Sequence, residues 1–291
     1  MRFPLLAAFW RDFSDNRVAV GALGVVVAIV AMAIFAPLIT PQNPNDLATI
    51  SLADARRPPG YVGAEGMRYW LGTDADGRDL YSAILYGLRT SLQVSLFSGA
   101  VAFFFGGIIG AGAAFLGKRT EVFVMRLVDL QLSFPAILVA LVLASIMGQS
   151  KTGLVIALVA AQYAYFARTA HGVAVAERSK EYVEAALCIP LNARQVILRH
   201  VLPNCFSPLI VVATIQIAYA ISLEATLSFL GLGLPPTEPS LGLLIANGFQ
   251  YMLSGRYWIS IYPGVALAVL IISVNLVGDQ LRDQFNPRLR R

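Results

Sequence analysis

The chain has 291 residues, of which 57% are hydrophobic and 13% are charged, and its formal net charge is +5. Soluble domains carry about 25% charged residues, so this composition excludes an ordinary soluble domain and indicates a membrane protein. Basic loops at the inner leaflet of a bilayer account for the positive charge, and no stretch of interleaved basic and aromatic residues favours nucleic acid. Two cysteines and two histidines without a surrounding carboxylate cluster predict no disulfide framework and no metal site.

Six apolar stretches approach the roughly 20 residues that a helix needs to cross a bilayer. The predicted fold class is therefore an all-α integral membrane protein with six transmembrane helices. The third stretch contains Arg126 and Asp129, whose spacing predicts an ion pair along one helix face. The six predicted spans cover residues 18–40, 90–117, 122–150, 152–167, 205–223 and 257–278.

The first predicted span resembles a signal peptide, because Arg2, Arg11 and Arg17 precede it and the small residues Ala31 and Ala33 lie within it. Its apolar run is longer than the core of about 7–15 residues in a signal peptide, so we favour an uncleaved anchor. The positions of lysine and arginine predict that both termini are cytoplasmic. In that topology 15 of these residues lie in inner segments and 7 lie in outer segments.

Glycines crowd the second predicted span and its end. Gly106, Gly107, Gly110 and Gly112 form a small-residue face, which we interpret as a contact with a partner protein in the membrane. The stretch "GAAFLGKR" (112–119) also fits the start of a phosphate-binding loop. Arg119 stands where that loop needs Ser or Thr for magnesium, and no strand precedes the segment, so we expect no ATP site here.

The stretch "KEYVEAALCIPLNARQVILRHVLPN" (180–204) interrupts the apolar sequence between the fourth and fifth spans. Ser179 is predicted to begin a helix that ends near Pro190, and Asn192 with Gln195 predicts the start of a second helix. A helix lying on the membrane surface usually carries bulky apolar residues and a basic polar face. This one carries two glutamates and a small alanine patch instead, so we favour docking into a partner protein over a plain interfacial loop.

Glu224 closes the fifth apolar run, and a carboxylate at such depth often lines a transport pathway. The alternatives are a position at the outer interface and a purely architectural pairing. The following "GLGLPPTEPSLG" (231–242) contains glycines and paired prolines that break a regular helix. Such irregular backbone at membrane depth either forms part of an outer gate or is a simple external loop.

Several motifs together identify a family resemblance over nearly the whole chain. "EYVEAA" followed by "RHVLPN" resembles the EAA loop of binding-protein-dependent ABC importer permeases. "WLGTDADGRDLYSAILYGLRTSL", "RLVDLQLSFPAILVAL", "EATLSFLGLGLPPTEPSLG" and "NLVGDQLRDQFNPRLRR" resemble further motifs of the dipeptide, oligopeptide and nickel branch, in the expected order. The leading span and its external segment resemble the C-type subunit of that branch.

The resemblance implies a type I importer permease with a MetI-like fold, in a bacterial inner membrane. Its segments would be a cytoplasmic tail (1–17), a first helix (18–40), a periplasmic segment (41–89), a core (90–280) containing a cytoplasmic coupling loop (178–204), and a cytoplasmic tail (281–291). The implied partners are a B-type permease, two ATPase subunits that bind ATP and magnesium, a periplasmic substrate-binding protein and membrane lipids. The chain itself would bind no cofactor and catalyse no reaction.

The implied sites form two groups. The ATPase-coupling residues are Glu181, Tyr182, Glu184, Ala185, Ala186, Leu187 and Pro190, and the pathway or gate residues are Glu224, Ser228 and Phe229. Pro190 departs from the family pattern, which usually has glycine there. Proline fixes φ near −65°, so the coupling loop of this chain is expected to turn differently.

The expected function is import of dipeptides and oligopeptides, with nickel complexes, glutathione-like peptides and opine-type conjugates as alternative substrates. A secondary transporter is a further alternative, although no inverted repeat with paired broken helices supports it. A membrane-embedded enzyme would need a nucleophile–base pair or metal ligands at membrane depth, and the sequence offers neither.

Overall fold

The computed structural model describes residues 11–63, 66–115, 117–183 and 193–285. Helices dominate this part of the chain. A π-helical turn (Ile197–Val201) precedes the eighth helix, and two-residue strands β1 (Tyr61–Val62) and β2 (Arg68–Tyr69) pair antiparallel. The helices are α1 (Arg17–Ile34), α2 (Ala36–Ile39), α3 (Leu80–Ala113), α4 (Lys118–Ser133), α5 (Ala136–Met147), α6 (Lys151–Arg178), α7 (Ala193–Val196), α8 (Leu202–Phe229), α9 (Leu241–Phe249) and α10 (Trp258–Phe285).

The predicted all-α membrane fold is confirmed. Among the described residues, α1, α3, α6, α8 and α10 are each long and apolar enough to cross a membrane. Helices α4 and α5 meet at an angle of 92° and, counted together as one broken span, bring the number to six. The break falls at Phe134 and Pro135, because the proline ring forces the residue before it out of helical geometry and Phe134 is extended.

Several helices extend beyond the predicted spans. Helix α3 has 34 residues and starts at Leu80, ten residues before the predicted boundary at 90. Asp79 caps it by accepting a hydrogen bond from the Ser82 amide, which satisfies one of the free N–H groups of the first turn. Its early turns are buried against α9 and α10, so tertiary packing rather than lipid contact extends the helix.

The two ends of the bundle differ. Residues 41–79 lie at the end where α3 begins, which we call the capped end. Helix α6 ends and α8 begins at the opposite end, which we call the loop end. A hydrophobic cluster at the capped end includes Leu80, Leu241 and Ile259, and a second cluster at the loop end includes Phe166 and Leu209.

The glycine face of α3 packs within the chain. A Cβ atom on Gly106 would lie 2.3 Å from the Tyr163 carbonyl oxygen, and one on Gly110 would lie 2.0 Å from that of Ala167. Both distances are far below van der Waals contact, so the backbones of α3 and α6 approach closely only because these residues lack a side chain. The predicted use of this face as a contact with a partner protein is wrong for Gly106 and Gly110.

The segment at the capped end is held by polar contacts around Asp74 and Thr73. The Thr73 hydroxyl donates to the Asp54 carbonyl oxygen at 2.6 Å and accepts from the Arg57 amide at 2.7 Å. The Asp74 carboxylate accepts from the backbone N–H groups of Asp76 and Arg78 at 2.9 and 2.8 Å. These hydrogen bonds hold residues 54–78 in a fixed arrangement next to the start of α3.

Candidate functional site

Only the beginning of the predicted coupling site falls in the described residues. Residues 181–183 are helical, with Glu181 exposed and Val183 fully buried in the loop-end cluster. The predicted residues Glu184, Ala185, Ala186, Leu187 and Pro190 lie outside the described residues, as does the predicted capping residue Asn192.

Ser179 does not begin the loop helix as predicted. It follows the last residue of α6, and its hydroxyl donates back to the Ala176 carbonyl oxygen at 3.0 Å. The longer α6 explains the difference, because the predicted fourth span stopped at residue 167 and left the following residues free to form a loop. The coupling segment therefore starts directly from the end of a transmembrane helix.

Tyr182 lies between the two helices that flank the coupling segment. Its phenol donates to Glu177 Oε2 on α6 at 2.5 Å, and Asn204 Nδ2 on α8 donates to the phenol oxygen at 2.8 Å. Lys180 Nζ contacts the other Glu177 oxygen at 2.5 Å. Partial burial and the Glu177 carboxylate raise the pKa of Tyr182 above its ordinary value, so the phenol keeps the proton that it donates.

A second polar cluster joins α3, α4 and α6 at the loop end. His171 Nε2 on α6 lies 2.9 Å from Glu121 Oε1 on α4. Arg178 donates to the Ala114 carbonyl oxygen just after α3 and lies 3.9 Å from the other Glu121 oxygen. The cluster thus connects the end of α6 to both neighbouring helices near the coupling segment.

Asp129 pairs with a residue other than the predicted one. Its carboxylate lies 3.1 Å from Arg168 Nη1 on α6, not beside Arg126 on its own helix. Helices α4 and α6 pack side by side, which brings the Arg168 guanidinium within reach across the interface. Both side chains are about half exposed, so the pair adds little stability by itself.

Glu224 lies at the capped end of α8 and is fully buried within the chain. Ser228 donates to its Oε1 atom at 2.8 Å, and the hydroxyls of Ser91 on α3 and Ser240 before α9 also face the carboxyl group. In the part of the chain that the structure describes, Oε2 has no hydrogen-bond partner. The buried carboxyl group of Glu224 on α8 therefore lies where α3 and the turn before α9 meet α8.

Phe229, the third predicted pathway residue, faces away from that enclosed group. Its side chain is 39% exposed and packs edge to face against Phe249 with ring centroids 6.1 Å apart. Ser228 shares the buried face of Glu224 instead. The structure therefore brings two of the three residues together and separates the third.

The irregular segment after α8 is held at several points. Arg78 Nη2 donates to the Pro236 carbonyl oxygen at 3.1 Å, and Gln149 Nε2 donates to the Gly231 carbonyl oxygen at 2.7 Å. A Cβ atom on Gly233 would lie 2.1 Å from Ser228 Oγ, so glycine is required for this close packing. These contacts join residues 231–240 to the capped-end segment and to the start of α6.

Residues 69–291 match the family described as the binding-protein-dependent transport system inner membrane component. The chain belongs to this family. Residues 5–59 also match the family described as the N-terminal TM domain of oligopeptide transport permease C. This permease is therefore a multi-pass protein of the inner membrane that acts in an ABC importer, alongside an ATPase and a substrate-binding protein.

Two curated relatives match the permease over almost its full length. The di/tripeptide transport system permease protein DppC of Pseudomonas aeruginosa is 33% identical, covering 98% of this chain and 93% of the relative. The dipeptide transport system permease protein DppC of Escherichia coli is 34% identical, covering 98% and 94%. A chain of the MetNI methionine ABC transporter in an inward-facing conformation shares the fold, with a TM-score of 0.56 and 18% identity over 71% of this chain and 98% of that chain.

The described part of the permease contains no group of three or more His, Cys, Asp or Glu residues able to hold a metal ion. The sequence interpretation missed the contacts of Glu177 and Asn204 with Tyr182, and those of Glu121 with His171. The available signal was the position of Glu177 and Asn204 just before and after the coupling motif, although sequence alone does not show which polar groups face each other.

Proposed function

We propose that the permease forms half of the translocation pathway of an ATP-driven importer for dipeptides and oligopeptides. The observation that carries the substrate assignment is near full-length similarity to the di/tripeptide and dipeptide permeases. Nickel complexes, glutathione-like peptides and opine-type conjugates are the alternatives that the same architecture accommodates. In this proposal the binding protein selects the substrate and the permease provides its route.

The loop end faces the cytoplasm and the capped end faces the periplasm in our proposal. The distribution of 15 inner against 7 outer basic residues supports this orientation, with both termini inside. The first helix then anchors residues 41–79 outside, and the core of 90–280 presents its coupling segment to the cytoplasm.

The partners that we propose are one B-type permease, two ATPase subunits and one periplasmic binding protein. The coupling segment would occupy a cleft of one ATPase, with Glu181 and Glu184 as its acidic side and the small Ala185 and Ala186 allowing close approach. Closure of the ATPase pair on ATP would move this segment. Because each spanning helix is a stiff, internally hydrogen-bonded rod, the movement would tilt the helices and change which side is open.

The capped-end residues would form the outer gate. Residues 231–240 and the exposed Phe229 would face the second permease, while Glu224 and Ser228 would hold the segment in position. The tethering of the segment by Arg78 and Gln149 supports this assignment, because a gate needs fixed ends.

The test is uptake by the complete transporter in proteoliposomes. We expect the permease to co-purify with both ATPase chains, and a labelled dipeptide to enter only with ATP and the cognate binding protein. Uptake that proceeds without the ATPases and follows a proton gradient would instead establish a secondary transporter.

The substrate is tested separately on the cognate binding protein. Mass spectrometry of the ligand that co-purifies with the binding protein is expected to show short peptides, and these should compete with the labelled dipeptide. A nickel complex or an opine in the binding protein, with no competition by peptides, would overturn the peptide assignment while leaving the importer intact.

A further inference from the structure

We propose that Tyr182 is a positioning residue that fastens the coupling segment to both flanking helices by holding Glu177 on α6 and Asn204 on α8 at one phenol oxygen. The inference rests on the proposed function, because it explains how movement of the segment would reach the membrane. It assigns coupling roles to Glu177, which precedes the coupling loop of 178–204, and to Asn204, the last residue of that loop.

The hydrogen bonds of the three residues are complementary. The phenol O–H donates to Glu177 Oε2 at 2.5 Å while the phenol oxygen accepts from Asn204 Nδ2 at 2.8 Å. A phenol has one proton to donate and lone pairs to accept, so this oxygen satisfies both neighbours at once. Glu177 and Asn204 lie 5 and 22 positions from Tyr182 in the sequence. The two hydrogen bonds therefore connect Tyr182 to the helix before the coupling segment and to the helix after it.

The surroundings fix the geometry of this contact. Lys180 Nζ lies 2.5 Å from the other oxygen of Glu177, and this ion pair fixes the orientation of the carboxylate group. Val183, the next residue after Tyr182, is fully buried in a cluster with Cys205 of α8. Glu181 on the other side is exposed. Tyr182 therefore lies between a residue buried in the permease and a residue directed toward solvent.

The mechanical consequence follows from helix length. Helices α6 and α8 have 28 residues each, which corresponds to rods of about 42 Å. If the segment is fastened to both rods, a displacement of the segment moves both. If it is fastened to neither, the ends of the two rods are held together only by their apolar packing, and the displacement is absorbed within the loop.

The decisive variant is Tyr182→Phe, which removes one oxygen and keeps the ring. In proteoliposomes containing the complete transporter, we expect normal assembly, continued ATP hydrolysis and peptide uptake reduced about tenfold, in keeping with the loss of a charge-assisted hydrogen bond. The number of ATP molecules hydrolysed per peptide should rise by the same factor. Tyr165→Phe, an exposed tyrosine on α6, is the matched control and should leave both quantities unchanged.

A double variant tests whether one oxygen serves both partners. Adding Asn204→Ala to Tyr182→Phe should reduce uptake no further than Tyr182→Phe alone, because the loss of the phenol oxygen already removes the contact of Asn204. Additive losses would show that Asn204 acts elsewhere and would overturn the proposal.

A distance measurement covers the case in which Tyr182→Phe assembles poorly. Spin labels at Val175 on α6 and Phe206 on α8, both partly exposed, report the separation of the rods in a chain whose native Cys188 and Cys205 are replaced. We expect one narrow distance distribution with and without an ATP analogue, and a broad one in Glu177→Ala, which removes the oxygen that accepts from the Tyr182 phenol. Equal distance distributions in the unaltered chain and in the Glu177 variant would overturn the proposal.

These outcomes separate the inference from the proposed function. Absence of ATP-dependent uptake in the unaltered transporter would refute the proposed function itself. ATP-dependent uptake with an unchanged ATP-to-peptide ratio in Tyr182→Phe would refute only the role of Tyr182.

Discussion

Glu224 shows how the position of one side chain decides between roles that the sequence left open. The carboxyl group is fully buried and hydrogen-bonded to Ser228, with hydroxyls from α3 and from the turn before α9 around it. A polar group enclosed in this way costs free energy unless it keeps a hydrogen-bond partner, and its loss removes the acceptor of the Ser228 hydroxyl. The geometry therefore favours an architectural role at the capped end over direct contact with substrate.

We predict that Glu224→Gln retains uptake, since the amide oxygen still accepts from Ser228. Glu224→Ala should lower the free energy of unfolding by about 1–3 kcal/mol, because it leaves the buried Ser228 hydroxyl without its acceptor. Thermal denaturation of the purified complex measures the loss. A changed KM for the dipeptide in Glu224→Gln, with thermal stability intact, would instead assign Glu224 to the pathway.

Residue-level contacts were also the least accessible to sequence reasoning. The motif assigned Tyr182 to the coupling segment, and the i,i+3 spacing predicted Arg126 as the partner of Asp129. Neither the 22-residue separation of Tyr182 and Asn204 nor the 39-residue separation of Asp129 and Arg168 has a local sequence pattern. Periodicity reports only neighbours on one helix, so contacts between helices require the packed fold.

At the scale of helices and segments, close approach of α3 and α6 is the feature that most constrains the sequence. The apolar runs predicted these helices, whereas the helix ends depended on caps and buried turns that hydropathy does not reveal. The glycine pattern was recognised, but its contact was assigned to a partner protein because small-residue faces look alike within and between chains.

We predict that Gly110→Ala weakens the packing of α3 against α6 and lowers the stability of the permease. Its Cβ atom would lie 2.0 Å from the Ala167 carbonyl oxygen, a backbone atom that cannot move without displacing the helix. Overpacking of this kind typically costs about 1–3 kcal/mol or more. Gly112→Ala is the control, because no atom beyond its own helical turn lies within 4 Å of its added carbon. Thermal denaturation of the two purified variants should separate them clearly, and similar values would contradict the packing.

The capped-end segment should respond to pH through Asp74. Burial raises the pKa of Asp74 from 3.8 to about 6, so the folded segment binds the proton more tightly than the unfolded chain does. The stability from this group is complete below pH 3.8 and is lost as pH rises through about 6. The difference corresponds to about 3 kcal/mol. Burial also raises the pKa of Asp79, which acts in the same direction.

Hydrogen exchange of residues 72–80, corrected for intrinsic rates, measures this dependence in the assembled permease. We expect greater protection at about pH 5 than at about pH 7.5. Asp74→Asn keeps an oxygen that accepts from Asp76 and Arg78, so it should remove most of the difference and leave the part due to Asp79. Equal protection of the unaltered segment at both pH values would contradict the prediction.

At the scale of the whole molecule, the two ends have different connections. At the capped end, residues 231–240 contact residues 41–79 and Glu224 is buried nearby, whereas at the loop end two polar clusters connect α3, α4, α6 and α8. The sequence motifs predicted the family, the coupling stretch at one end of the bundle and the irregular stretch after α8 at the other. They could not give the arrangement of partner chains, because the surfaces that decide it include atoms of those chains.

The loop end provides the last prediction, a charge reversal on the coupling segment. Glu184→Arg places a cation where an acidic helix face is proposed to enter the ATPase cleft, and like charges or a lost pairing there weaken docking. We expect weaker association with the ATPases, or hydrolysis without uptake, in the reconstituted transporter. Asp283→Arg is the control, because Asp283 is exposed on α10 at the same end but outside the segment. If both variants assemble and import peptide like the unaltered chain, the coupling segment does not hold the ATPase through its acidic face.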